Sequence, residues 1–171
     1  ALSPIEVSSL YTWAPEPYVH LDFNEQSGTT INDKSGNGYS GSWNGSGSHW
    51  TQGKFGGGAL FDGSSDYISF SSLPKPNNLP ITIMFWAKPS TSSPVGIFDS
   101  AHNQENVLRN YSGGQVEWWA ADPEVNLGLD ASEWVHLAFT FSYNGGNQYI
   151  EWSKDGVKQT TASSSDDGTG A

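Results

Sequence analysis

The chain has no cysteine, a single methionine, and only 7 lysines and arginines against 18 aspartates and glutamates in 171 residues. Without cysteine there is neither a disulfide framework nor a thiolate metal site, and thiol chemistry says nothing about the redox compartment. The shortage of basic residues leaves a formal net charge of -11. Such a field repels phosphate backbones instead of releasing their counterions, so nucleic acid is not expected as a partner. The longest apolar runs, such as 81–87, fall far below the roughly 20 residues of a membrane-spanning helix. No basic-then-apolar signal segment opens the sequence, so membrane insertion is not expected and the chain reads as a mature segment or an excised domain.

What is abundant points to β structure. With 20 Gly, 9 Pro, 8 Trp, 7 Tyr and 8 Phe but only 15% charged residues, the composition is turn-rich and aromatic-rich, as in an all-β protein of one domain. Ser3, Pro4 and Glu6, with Leu2 stapling onto Val7, predict a short helix over 4–10 that ends before Pro15 and Pro17. From 18 to 24 the sequence turns to period two, with Val19, Leu21 and Phe23 on one face, and predicts a first strand. Further strands are expected over 39–43, 59–61, 67–70, 81–88, 95–99, 106–110, 115–120, 134–141, 148–154 and 157–161. Glycine-rich clusters such as Ser112-Gly113-Gly114, Asn144-Gly145-Gly146-Asn147 and Asp155-Gly156 separate them and supply the positive φ that closes hairpins. Residues 163–171 are small and polar, with too little apolar surface to hold themselves in place.

Several stretches, taken in order, carry a family likeness. They run from Leu21-Asp22-Phe23-Asn24 and Asp33-Lys34-Ser35-Gly36-Asn37-Gly38 through Gly57-Gly58-Ala59-Leu60-Phe61-Asp62-Gly63 with Asp66-Tyr67-Ile68, then Ile81-Thr82-Ile83 with Phe85-Trp86, and finally Trp134-Val135-His136-Leu137-Ala138. Over residues 19–158 the chain resembles the laminin-G-like family of concanavalin A-like lectin/glucanase folds. The resemblance implies an all-β, two-sheet antiparallel jelly-roll sandwich, here with a short N-terminal helix. The chain is expected to divide into a short helix and Pro-rich linker over 1–17, the jelly-roll domain over 18–162 and a polar tail over 163–171. Members of such a family bind glycans, proteins or calcium, or serve as adhesive spacers. The helix resembles the segment that usually follows the last strand, so the chain reads as cut from a tandem array or permuted.

Hydrolases of this kind align closely spaced acidic residues on one strand face. The nearest candidates, Glu117 and Asp122, are an odd number of residues apart, and Pro123 interrupts the ladder, so an enzyme is not expected. No Gly-x-Ser-x-Gly elbow is present, and His20, His49, His102 and His136 are scattered. The Asp33–Gly38 loop places oxygen side chains at alternate positions before a glycine, echoing half of a calcium loop; the alternative is an Asx-rich turn bonded to its own backbone. With the resemblance, Asp33, Ser35 and Asn37 become candidate calcium donors, with Asp62 or Asp66 as additions.

Aromatic faces beside polar groups suit sugar stacking. Alternation over 115–120 puts Gln115, Glu117 and Trp119 on one face and Trp118 on the other, which makes Trp119, assisted by Gln115, Glu117 and Arg109, the candidate ligand platform. Trp86, Trp134 and Trp152 lie in apolar strands and are expected in the core, while Trp43 and Trp50 stay open. The leading expectation is a non-catalytic, extracellular module, secreted or surface-displayed, that recognises a glycan or a protein. The rival is a structural subunit of a filament, adhesin or virion that contacts copies of itself, and a glycoside hydrolase comes third.

Overall fold

The computed structural model describes residues 3, 5, 16–71, 73, 80–89, 95–98, 108–111, 115–118, 121–126, 133–144, 147–159 and 162–164. Over these residues the chain is all-β, and every strand pairing is antiparallel. The helix expected over 4–10 lies, Ile5 apart, outside the described residues. Two compact units divide the chain, Ala1–Pro74 and Lys75–Ala171.

The first unit holds β1 (Thr30–Ile31), β2 (Gly41–Asn44), β3 (Trp50–Gln52), β4 (Gly57–Ala59) and β5 (Tyr67–Ser69). β1, β2 and β5 form one sheet in that order, and β3 pairs with β4 in a second. Alternation along β2 buries Gly41 and Trp43 and exposes Ser42. Trp43 stacks between His49, with ring centroids 4.5 Å apart, and Phe61, at 4.8 Å. Close packing favours glycine at position 41, because a Cβ there would lie 2.6 Å from Ile68 Cγ2 and the side chain would have to shift. The strand expected over 18–24 does not form. Leu21 makes a lone bridge to Asp33, and Phe23 and Gln26 turn into the left-handed region at φ 54° and 57°. The bend is tertiary in origin: the Gly57 N–H donates to Asn24 Oδ1 at 2.7 Å, and the backbone of Phe23 and Asn24 packs so closely on Gly57 that a Cβ there would collide with it.

The second unit holds β6 (Ile81–Ala87), β7 (Val95–Phe98), β8 (Leu108–Tyr111), β9 (Gln115–Trp118), β10 (Ala121–Asn126), β11 (Val135–Asn144), β12 (Asn147–Lys154), β13 (Val157–Lys158) and β14 (Ala162–Ser164). One sheet runs β10-β9-β8-β7 and the other β13-β12-β11-β6, with β14 also on β12. Asn144 pairs with Asn147, so only Gly145 and Gly146 connect β11 to β12. That composition suits a two-residue hairpin. Lys154 pairs with Val157, and the intervening Asp155 and Gly156 have φ of 49° and 79°, the positive values a primed turn requires. Asp155 also fixes this turn to β11: its Oδ1 accepts from His136 N at 2.9 Å, and its own N–H donates to the His136 carbonyl.

The first two residues of the polar stretch 163–171, Ser163 and Ser164, pair with Tyr149 and Gln148 within β14. Main-chain bonds, which composition does not reveal, hold them there. Glu117 and Asp122 do not share a strand: Trp118 pairs with Ala121 across β9 and β10, so face parity along one strand says nothing about them. Pro123 is accommodated because β10 is the last strand in its sheet order and its register shifts between Ala121 and Val125.

The core of the second unit follows from β11. Val135, Leu137, Phe139 and Phe141 are buried, joined by Ile150 and Trp152 of β12, and Ile81, Ile83, Phe85 and Ala87 of β6 pack against them. Phe139 stacks near Phe85 at 6.3 Å and Trp152 at 6.2 Å, both in near-parallel orientation. Truncating so central a ring leaves a cavity that neighbours on three strands cannot fill together. Phe139→Ala is therefore expected to lower unfolding free energy by about 3–5 kcal/mol, read from urea denaturation followed by tryptophan fluorescence.

Candidate functional site

The two acidic loops of the first unit are each closed by one carboxylate. Asp33 Oδ1 accepts from His20 N and Ser35 N, both at 2.9 Å, while Oδ2 accepts from Tyr39 N at 2.9 Å and lies 2.8 Å from Ser35 Oγ. Asn37 turns its amide to the Tyr18 carbonyl at 3.1 Å. Partial withdrawal from water pushes the Asp33 carboxyl up, but the donors from His20, Ser35 and Tyr39 outweigh it and hold the group well below the usual carboxylate range. Asp62 repeats the device: Oδ1 accepts from the N–H groups of Ser64, Ser65 and Asp66, and Oδ2 from Ser65 Oγ at 2.9 Å. Those backbone bonds keep its carboxyl far below the usual range against a smaller effect of burial. Asp66 Oδ2 accepts from Asp62 N and stands 3.5 Å from His49 Nδ1.

The proposed calcium donors thus fall into two separate loops, Asp33, Ser35 and Asn37 in one and Asp62 and Asp66 in the other. Among the described residues, no three histidine or carboxylate side chains converge where a metal ion could sit. A cation at Asp33 would compete with the His20, Ser35 and Tyr39 donors for its carboxylate oxygens.

Of the expected ligand platform, the register sets Arg109 opposite Glu117 and Tyr111 opposite Gln115 across β8 and β9. Trp119 lies outside the described residues.

A different aromatic surface stands on the second unit. The residues of β6 that alternate with its core face, Thr82, Met84 and Trp86, are exposed, with Met84 at 64% and Trp86 at 39%. This corrects the expectation that Trp86 is a core residue. Its strand is apolar on both faces, and pairing decides between them: Trp86 sits opposite His136 and Thr82 opposite Thr140, on the polar face of β11. Trp152 is buried as expected, and Trp134 is half-buried. The Trp86 and His136 rings lie 5.2 Å apart at 56°. On the same face the Thr82 and Thr140 hydroxyls are bonded at 2.9 Å, and Lys158 Nζ donates to Glu151 Oε1 at 2.6 Å. The sequence signal for this surface was the alternation in β11 of His136, Thr140 and Ser142, with the small Ala138, against Val135, Leu137, Phe139 and Phe141, which marks the outward side of the strands beside it.

The Laminin_G_3 family model, described as concanavalin A-like lectin/glucanases superfamily, matches residues 62–171, more than half of the chain. Residues 19–61, where the opening stretches of the resemblance were found, lie outside that match. No curated protein and no solved structure matches the chain.

The acidic loops generate a pH prediction. Both carboxyls titrate lower folded than unfolded, so the stability they contribute is fully present above the ordinary carboxyl range and is lost as pH falls below about 4. Thermal melts between pH 6 and pH 2 should show this acid loss in the wild type and a shallower one in Asp33→Asn and Asp62→Asn. Because the bonds are internal, the Asp33→Asn effect at pH 6 should be equal in calcium and in chelator.

Proposed function

The chain belongs to the concanavalin A-like lectin/glucanase superfamily, and we propose that it is a non-catalytic, extracellular jelly-roll module that recognises a glycan on the outer face of its five-stranded sheet. The observation that carries this reading is Trp86, a large ring exposed on a sheet face whose other side is the core. An aromatic face accepts the apolar C–H side of a sugar ring, and polar groups beside it bind the hydroxyl edge. His136, the Thr82–Thr140 pair and Glu151 supply donors and acceptors on that same face.

The reading is non-catalytic because glycoside hydrolysis needs two facing carboxyl groups, and Glu151 is the one carboxylate that the described strands set on this face, already engaged by Lys158. A platform at Trp119 with Gln115, Glu117 and Arg109 would use the other sheet, so the two locations separate by mutation.

Trp86→Ala is expected to weaken glycan binding tenfold or more in calorimetric titration, about 1.4 kcal/mol or above, while Trp119→Ala leaves it unchanged. The opposite pattern would move the site to the β8–β9 surface. Incubation with neutral polysaccharides should release no reducing sugar; release that disappears in Glu117→Gln would make the protein a hydrolase.

A further inference from the structure

Asparagine followed by glycine occurs at Asn37-Gly38, Asn44-Gly45 and Asn144-Gly145. Glycine has no Cβ to shield its main-chain nitrogen, so that nitrogen can reach Cγ of the preceding asparagine. Closing the five-membered ring needs two freedoms at once. The amide must swing off its hydrogen-bond partners, and the backbone must leave any ladder that fixes it. The fold grants these freedoms unequally. Asn44 is half-buried at the end of β2, opposite Tyr67, and its Nδ2 donates both to the Ser42 carbonyl at 3.0 Å and to Ser69 Oγ at 2.9 Å. Its glycine is walled in as well, because a Cβ on Gly45 would lie 2.1 Å from Asp66 Oδ1. Asn144 is the last rung of β11, paired with Asn147. Asn37, by contrast, is exposed and lies outside every strand, between Gly36 and Gly38 at φ 87° and 81°. Among the described residues its Nδ2 donates to the Tyr18 carbonyl alone, at 3.1 Å. Gly38 has nothing within 4 Å of where a Cβ would stand, and among the described residues no group bonds its N–H.

We propose that Asn37-Gly38 is a site of spontaneous deamidation, a slow chemical timer set into the loop that Asp33 closes. The Gly38 nitrogen attacks Asn37 Cγ, the Cγ–Nδ2 bond breaks, and Nδ2 leaves with the Gly38 proton as ammonia, so that a succinimide spans the two residues. Water then opens one carbonyl of that ring. Opening at Cγ gives aspartate, and opening at the main-chain carbonyl gives isoaspartate. The only co-reactant is water. Either product exchanges a neutral amide for a carboxylate. The donor to Tyr18 is lost, an anion faces that carbonyl instead, and the new charge joins the Asp33 carboxylate in the same short loop. Isoaspartate also adds a methylene to the main chain two residues before Tyr39, whose N–H donates to Asp33 Oδ2 at 2.9 Å. The Tyr39 ring that stacks on Tyr18, with centroids 5.7 Å apart, is displaced by the same insertion. Modification therefore loosens the Asp33 clasp from within.

The test stores the whole chain in mildly alkaline buffer and maps its peptides by mass spectrometry at intervals, beside a sample kept unfolded in urea. Relative to its own rate in urea, conversion of Asn44 should be slowed tenfold or more by folding and that of Asn37 threefold at most, so that Asn37 converts first of the three. The product at position 37 should include isoaspartate, labelled by an isoaspartyl methyltransferase. Asn37→Gln keeps the amide but needs a larger ring, and should hold this peptide at its original mass. Asn37→Asp, which carries the carboxylate from the start, should melt below the wild type at pH 6, and the aged wild type should move towards it. Folding that slows Asn37 as much as Asn44, or an earlier conversion at Asn44 or Asn144, would overturn the site. So would an unconverted Asn37 in a folded sample whose urea control has converted. Conversion at Asn37 with unchanged melting of both Asn37→Asp and the aged chain would keep the site and overturn the loosening of the clasp.

Discussion

The second unit depends on one constraint: β11 is paired along its length with β6 on one side and β12 on the other. Side chains of a strand alternate between faces, so a central strand that is apolar at Val135, Leu137, Phe139 and Phe141 and polar at His136, Thr140 and Ser142 fixes which face of its neighbours turns inward. Each large apolar side chain removed from water contributes about 1.5–3 kcal/mol. A slip of one residue in either pairing would bring the polar set of β11 against Phe85 and Trp152, forfeiting several such contributions together. The same constraint leaves a flat outer face with Trp86, His136 and the two threonines in register, so the core and the proposed binding surface are two sides of one decision.

The first unit is organised differently. Its strands are only two to four residues long, and most of its order lies in loops closed by charge-assisted hydrogen bonds to Asp33 and Asp62. A carboxylate that gathers several donors is an efficient clasp for a short loop, since it satisfies backbone N–H groups that no strand partner reaches. In the Asp33–Gly38 loop the carboxylate of Asp33 gathers the backbone N–H groups of Ser35 and Tyr39 and the Ser35 hydroxyl, as an Asx-rich turn does. Close packing of glycine adds to this: Gly57 gives the Phe23–Asn24 bend its place, and Gly41 lets β2 lie against Ile68 and Phe70.

The hydrogen-bonding groups that the outer face of the five-stranded sheet offers are side chains, because the main-chain groups of β11 are committed to β6 and β12. The register places Thr140 opposite Glu151, Tyr149 and Ser153 two residues away on its strand, and Lys158 bonded to its carboxylate. Within one superfamily, function follows the residues that occupy a site and not the fold alone.

By itself the sequence determined the class of structure and most of the strands. Alternation in 135–142 is a local property, written in the order of residues, and the turn after 147–154 is marked by Asp155 and Gly156, where φ is positive. Composition excluded disulfides and argued against nucleic acid for equally local reasons. Four outcomes needed the folded chain. The apparent strand at 18–24 bends because Gly57 and Asn24 meet across 33 residues. The serines at 163 and 164 join a sheet through main-chain bonds that carry no sequence signature. Glu117 and Asp122 fall on separate strands, β9 and β10, which pair through Trp118 and Ala121. Trp86 faces outward although its own strand is apolar on both sides, since the choice between Phe85 and Trp86 is made by the partner: pairing sets Trp86 against His136 and Phe85 against Leu137, and burial follows the strand that has a polar side to lose.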